Sequence, residues 1–270
     1  MIGFVLVVGS GNGNRMTARD LTRKIKEGWS ERARLKQEKH ESRIGSSFYA
    51  REFGGCQLRA YLRRLGYPET ESRPQSAGRL ADLADRGEHL EQSTLDSLSL
   101  SEPGIHAERQ ERGSRTYSAG GVSFECVGRL DGRLSSDTGI ECKSVGTEHY
   151  KELRSTDDLH RLRPAWVNQC HAYCWIFDLS RVFVVCIDRN DHLYRTFEVK
   201  RDKKREKGLL EELAQTEKAI KEKDPPNPKI SLGCYVCPYH PYCPAFGGDP
   251  ETPYPPSIPA DSNEEVRQAS

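Results

Sequence analysis

The stretch "RLDGRLSSDTGIECKSVG", residues 129–146, reads as two short strands joined by a polar reversal, with Asp131 ending the first and Glu141 and Lys143 on the second. Side chains alternate along a strand, so Glu141 and Lys143 share a face while Cys142 points into the core. Two carboxylates and a lysine therefore converge where the hairpin strands lie side by side. Hydrolysis of a phosphodiester needs charge neutralisation at the phosphate and a hydroxide made at neutral pH. Mg2+ or Mn2+ held by Asp131 and Glu141, with the backbone carbonyl of Cys142 as a further oxygen ligand, supplies both. Lys143 would orient or help deprotonate the attacking water. The same triplet is also what a solvated surface strand carries, so its surroundings decide.

Downstream, "PAWVNQCHAYCWIF", residues 164–177, is helical in pattern. Gln169 and Tyr173 fall at i, i+4 on one stripe, and Cys170, Cys174 and Phe177 form the neighbouring apolar stripe. Upstream, "AGRLADLADRGEHLEQSTLDSL" repeats Leu80, Leu83, Ala84, Gly87 and Leu90 at helical spacing, with His89 one position off the stripe as a candidate metal ligand. Between these lie β-rich segments, "IHAERQERG" and "GVSFECVGRLDGRL". After them "RVFVVCID" and "LYRTFEVK" read as paired strands, and "KKREKGLLEELAQTEKAIKEK" as a long polar helix. "SSFYAREFGGCQLRAYLRRL" reads as a loop leading into a helix with Cys56 near its start.

Nine cysteines in a chain expected to be cytoplasmic point to metal binding rather than disulfides. Cys126, Cys142, Cys170, Cys174 and Cys186 sit inside apolar patterns and read as core residues. Cys56 and the trio of "LGCYVCPYHPYCPAF", Cys234, Cys237 and Cys243, are left over. Three thiols do not close a tetrahedral site. Either His240 completes a local Zn2+ knuckle, or a fourth thiol arrives from elsewhere.

The 41 Lys and Arg balance 40 Asp and Glu, so nucleic acid would have to be held by a local basic groove and not by a global field. No run of about 18 apolar residues is present, which excludes a membrane-spanning helix. The apolar run in "MIGFVLVVGSGNGNRM" is too short and poorly flanked for a secretory signal. Its glycines at 9, 11 and 13 do not match the GxGxxG of a dinucleotide site.

His89, Asp131, the "ECK" of residues 141–143 and the "QCHAY" of residues 169–173 resemble, in order and spacing, the RecB-like branch of the PD-(D/E)xK nuclease superfamily. One cysteine before these motifs and three after them is similar to the iron–sulfur exonucleases of that branch, including the RecB-like CRISPR-associated exonuclease and the AddB nuclease domain. The resemblance covers roughly residues 46–246. It implies an α/β fold with a central mixed sheet flanked by helices, clasped by a 4Fe–4S cluster on Cys56, Cys234, Cys237 and Cys243. It also implies catalytic roles for Asp131, Glu141, Lys143, Gln169 and Tyr173, with His89, Asp131, Glu141 and the Cys142 carbonyl around the divalent cation. The substrate would be DNA, single-stranded or with free ends, with Tyr173, Trp166, Arg129 and Arg133 offering stacking and phosphate contacts. GxxxxGK[ST] is absent, so helicase action would belong to a helicase, recombination or CRISPR partner. Residues 1–45 are expected to be a variable extension and 247–270 a disordered tail. The rival reading is a non-catalytic nucleic-acid-binding protein with a zinc knuckle, which has no need of the triplet on one face.

Overall fold

A computed structural model of the chain describes residues 24, 27, 47–67, 69, 74–101, 110–231, 234, 237–248 and 250. Nearly all of the extension and most of the tail lie outside these. The element order is β1 (Phe48–Tyr49), α1 (Gln57–Arg64), α2 (Pro74–Ser101), β2 (Glu111–Ala119), β3 (Val122–Leu130), β4 (Gly132–Ser135) and β5 (Thr138–Val145). There follow α3 (Thr147–Arg154), α4 (Leu159–Leu162), α5 (Pro164–Ile176), β6 (Arg181–Asp188), β7 (Tyr194–Lys200) and α6 (Lys203–Glu222). Short 3-10 turns flank α1 and the C-terminal cysteines.

The α/β class with mixed sheet and flanking helices holds, and the sheet is divided in two. One sheet has the order β1-β3-β2, the other β4-β5-β6-β7, and each combines parallel with antiparallel pairing. The division falls at Asp131, the one residue between β3 and β4. β1, expected as loop, pairs in parallel with β3 through Phe48 opposite Cys126 and Tyr49 opposite Val127. β6 sits between β5 and β7 and is buried along almost its whole length, which is why it reads as a continuous apolar run. β7, at the edge, alternates buried and exposed positions.

Helix α5 carries the centre of the core. Val167, Cys170, Ala172, Tyr173, Cys174 and Ile176 are buried, and the helix packs on strands of both sheets. Gly113 and Gly128 face each other across β2 and β3. A Cβ on Gly113 would come within 2.4 Å of the Phe177 ring, and one on Gly128 within 3.3 Å of the Tyr173 ring. Two opposed glycines thus let α5 close on this sheet. Asp202 caps α6 by accepting from the Lys204 and Arg205 amides at 2.9 and 3.1 Å.

Arg63 grips Glu52 through two hydrogen bonds of 2.6 and 2.8 Å, fixing α1 to the turn that precedes it. Past Phe246, Gly248 donates to the Cys243 carbonyl at 3.0 Å, and the Tyr67 hydroxyl donates to that of Pro250 at 2.8 Å. No helix among the described residues is long and apolar enough to cross a membrane.

Candidate active site and cysteine cavity

Strand β5 presents Glu141 and Lys143 on one face, as alternation requires, and Cys142 on the other, where it packs against Leu90, Leu95 and Ile140. The Cys142 amide donates to Asp131 Oδ2 at 2.8 Å, which pins the carboxylate between the two sheets beside Glu141. Lys143 Nζ contacts Glu141 Oε1 and donates to Gln169 Oε1 at 3.0 Å. The Gln169 amide in turn donates to the Tyr173 hydroxyl at 2.7 Å. Asp131, Glu141, Cys142, Lys143, Gln169 and Tyr173 all line one open cavity of about 920 Å³.

Asp131 and Glu141 are 6% and 3% exposed, so two carboxyls are held in a poorly solvated place. Burial, then Glu141, then Glu91 push the Asp131 pKa up to about 8. Burial alone would depress the Lys143 ammonium, but Glu141 beside it reverses this and holds it above the usual lysine value. Tyr173 is raised by burial and by both carboxylates, so its hydroxyl stays protonated. Glu141 Oε2 is buried with no hydrogen-bond partner. An orphaned oxygen beside a second carboxyl of raised pKa is what a divalent cation would satisfy. Mg2+ is commonly held by one or two carboxylates, with water and phosphate completing its shell. The residues therefore fit such an ion, although among the described residues no three His, Cys, Asp or Glu side chains gather as a ready-made single-ion site.

His89 is exposed and does not line the cavity; Glu91 does. On α2 a residue turns about 100°, so Gly87 and Glu91 share a face and His89 lies some 200° from each. Gly87 marks that face: a Cβ there would stand 3.1 Å from Ser144 Oγ of β5. The structure thus does not bring His89, expected as a metal ligand, into this cavity. Glu91, raised in pKa by burial and opposed by Arg129, is the lining carboxylate of α2 that sequence reasoning did not single out. Its i, i+4 relation to Gly87 was the available signal. Arg133 is occupied by Glu111 through bonds of 2.6 and 2.9 Å and is not poised for phosphate. Trp166 packs on the core, with Lys143 Nζ 6.0 Å from its ring centroid.

The leftover cysteines line one cavity. Cys56, at the N-cap of α1, lines a second cavity of about 210 Å³ with Cys234, Cys237 and Cys243. The Lys229 amide donates to the Cys56 sulfur at 3.4 Å and the Ser231 amide to that of Cys234 at 3.3 Å. Burial raises the Cys237 thiol, and Cys56 and Cys234 act on it in the same sense. His240 lines the same cavity, with Nε2 unpartnered and its ring 4.5 Å from that of Phe246. The four thiols line one void, and among the described residues no three of them gather as a ready-made metal group. Of the five expected core cysteines, Cys126, Cys170, Cys174 and Cys186 are buried, and burial pushes Cys174 and Cys186 up to about 12, whereas Cys142 is half-buried and also lines the trough.

Fold and site together define a two-sheet α/β domain with a carboxylate–lysine centre in an open trough and a separate thiol-lined cavity, Arg51 lining both. No protein-family model matches the chain, and no curated protein matches it. Among solved structures it is similar to the crystal structure of SSO0001, at a TM-score of 0.57 and 18% identity over 83% of this chain and 97% of that one; the two share a fold. It is also similar to an alkaline exonuclease (LHK-Exo) from Laribacter hongkongensis, at a TM-score of 0.44 and 15% identity over 66% of this chain and 91% of that one. A phage-related exonuclease from Haemophilus somnus 129PT gives a TM-score of 0.43 and 12% identity over 66% and 94%.

Proposed function

We propose that this chain is a divalent-metal-dependent deoxyribonuclease of the PD-(D/E)xK type, an exonuclease acting on single-stranded DNA or DNA ends. The observation that carries this reading is the buried pair Asp131 and Glu141, with Lys143 in contact, at the floor of an open trough. A bound Mg2+ or Mn2+ supplies charge neutralisation at the phosphate and a hydroxide at neutral pH. Asp131 and Glu141 would hold it, with the Cys142 carbonyl as a further oxygen. Held protonated by Glu141, Lys143 is a donor, which suits orienting the phosphate or the water rather than accepting a proton. Gln169 fixes the ammonium and is itself fixed by Tyr173, so α5 serves to position the lysine.

The four-thiol cavity supports a 4Fe–4S cluster on Cys56, Cys234, Cys237 and Cys243, with the Lys229 and Ser231 amides as the hydrogen bonds to sulfur that such clusters use. The rival, a binding protein with zinc on the trio and His240, draws on the unpartnered His240 Nε2 in the same cavity. Work in the cytoplasm beside a helicase, recombination or CRISPR partner belongs to the nuclease reading.

Cleavage of a single-stranded oligonucleotide with Mg2+ or Mn2+ tests it, with EDTA and Lys143→Ala as controls. Expected are full loss in EDTA and a fall of about 100-fold or more in Lys143→Ala with DNA binding retained. Wild-type rates in either control would overturn the mechanism. Iron content and a visible spectrum of anaerobically purified protein separate cluster from zinc.

A further inference from the structure

Strand β3 sends Phe124, Cys126 and Leu130 into the core, and the alternate residues Glu125, Val127, Arg129 and Asp131 all line the trough. Arg129 is thus on the same row as the site carboxylate, roughly 7 Å along the strand at about 3.4 Å per residue. Directly opposite it in the antiparallel register stands Arg112 of β2, which lines the same trough. Both arginines are exposed; Arg129 acts electrostatically on Glu91 of the same trough, and neither arginine makes a close ion pair or a side-chain hydrogen bond among the described residues. Like charges placed opposite each other across strands destabilise the pair. The neighbouring arginines are spoken for: Arg133 by Glu111, and Arg115 by the Trp175 carbonyl at 2.6 Å. Glu125, four residues farther from the site than Arg129 and bonded by Ser47 at 2.7 Å, carries the opposite charge and ends the positive stretch along β3.

We propose that Arg112 and Arg129 form a two-arginine phosphate clamp on the exposed face of the β1-β3-β2 sheet, gripping the backbone of a single nucleic-acid strand beside the phosphate at Asp131 and Glu141. A polyanion is what turns the repulsive pair into a matched one, and the planar guanidinium fork suits phosphate oxygens. The clamp rests on the nuclease reading for the identity of the polyanion. Its distance from Asp131 gives it an adjacent phosphate and not the reacting one. It holds the strand and leaves the chemistry to the carboxylates.

The test is binding of a fluorescein-labelled oligothymidine across a NaCl series, on the Lys143→Ala background so that the probe stays intact. Replacing both arginines by alanine should reduce the slope of log K against log [NaCl] by about 1.4, from two contacts worth roughly 0.7 each on a single strand. Arg133→Ala should leave the slope alone. In the cleaving protein the double variant should raise KM and keep kcat. Thermal melting checks the fold, and the Arg112→Gln, Arg129→Gln pair replaces the alanines if those do not fold. An unchanged slope in a folded variant overturns the clamp, as does a fall in kcat at constant KM or a wild type that binds no oligothymidine. Absence of cleavage by the wild type with both metals overturns the nuclease reading instead, and the slope still decides the clamp.

Discussion

Arg64 Nη2 stands 2.8 Å from Glu217 Oε2, with both side chains less than a tenth exposed, and this charge pair joins α1 to α6. Helix α1 begins at Cys56 and α6 leads toward the C-terminal cysteines, so the pair holds the two sides of the cysteine cavity together by protein contacts alone. Burial lowers the Arg64 pKa and Glu217 opposes that shift, as expected of a guanidinium that depends on its partner. Glu217→Ala leaves the charge buried and alone, and should cost about 3–5 kcal/mol in urea unfolding. A loss below about 1 kcal/mol would mean that water reaches Arg64 freely.

Cys56→Ala should bleach the anaerobically purified protein and destabilise it as much as Cys234→Ala does. The two residues are roughly 180 positions apart, and a cross-link over so long a loop is worth on the order of 5 kcal/mol in chain entropy. His240→Ala should do neither. Loss of metal from His240→Ala with colour retained in Cys56→Ala would establish the zinc knuckle.

The carboxyl of Asp131 titrates at about 8 in the folded chain and near 3.9 when unfolded. Between those values the folded state holds a proton that the unfolded state has released, so the contribution of Asp131 to stability is fully present below about pH 4 and is lost as pH rises toward 8. In EDTA the melting temperature of the wild type should therefore drop across this window more than that of Asp131→Asn. Mg2+ should restore more stability at pH 8 than at pH 5. Equal pH slopes for the two proteins would show that Asp131 is ionised throughout.

Gly128→Ala places a methyl 3.1 Å from Ile176 Cδ1 and 3.3 Å from Tyr173 Cδ1, tighter than ordinary contacts. Helix α5 must shift, carrying Tyr173 and Gln169 with it and loosening Lys143. The expected result is a loss of about 1–3 kcal/mol together with a lower kcat. Gly208→Ala, on the open face of α6 with nothing within 4 Å, should gain about 0.5–1 kcal/mol and leave kcat unchanged. A Gly128→Ala enzyme with unaltered kcat would detach α5 from catalysis.

By itself the sequence determined what short periods encode. Alternation placed Glu141 and Lys143 on one face of β5, the helical stripe placed Gln169 with Tyr173 on α5, and apolar runs marked four buried cysteines. Each of these is a property of neighbours along the chain, fixed by backbone geometry before any packing occurs. Only the tertiary structure decided the rest. Whether His89 or Glu91 reaches the site depends on how α2 is rotated, and that is set by the fit of Gly87 against Ser144. The opposition of Arg112 and Arg129 depends on the register of β2 against β3, and the division of the sheet on which strands pair beside Asp131. Cys56 reaches the C-terminal trio because α1 packs on α6, with Arg64 against Glu217 at the contact. Rotation, register and packing are chosen by contacts between segments far apart in sequence, where the free energy of burial resides and no local pattern records it.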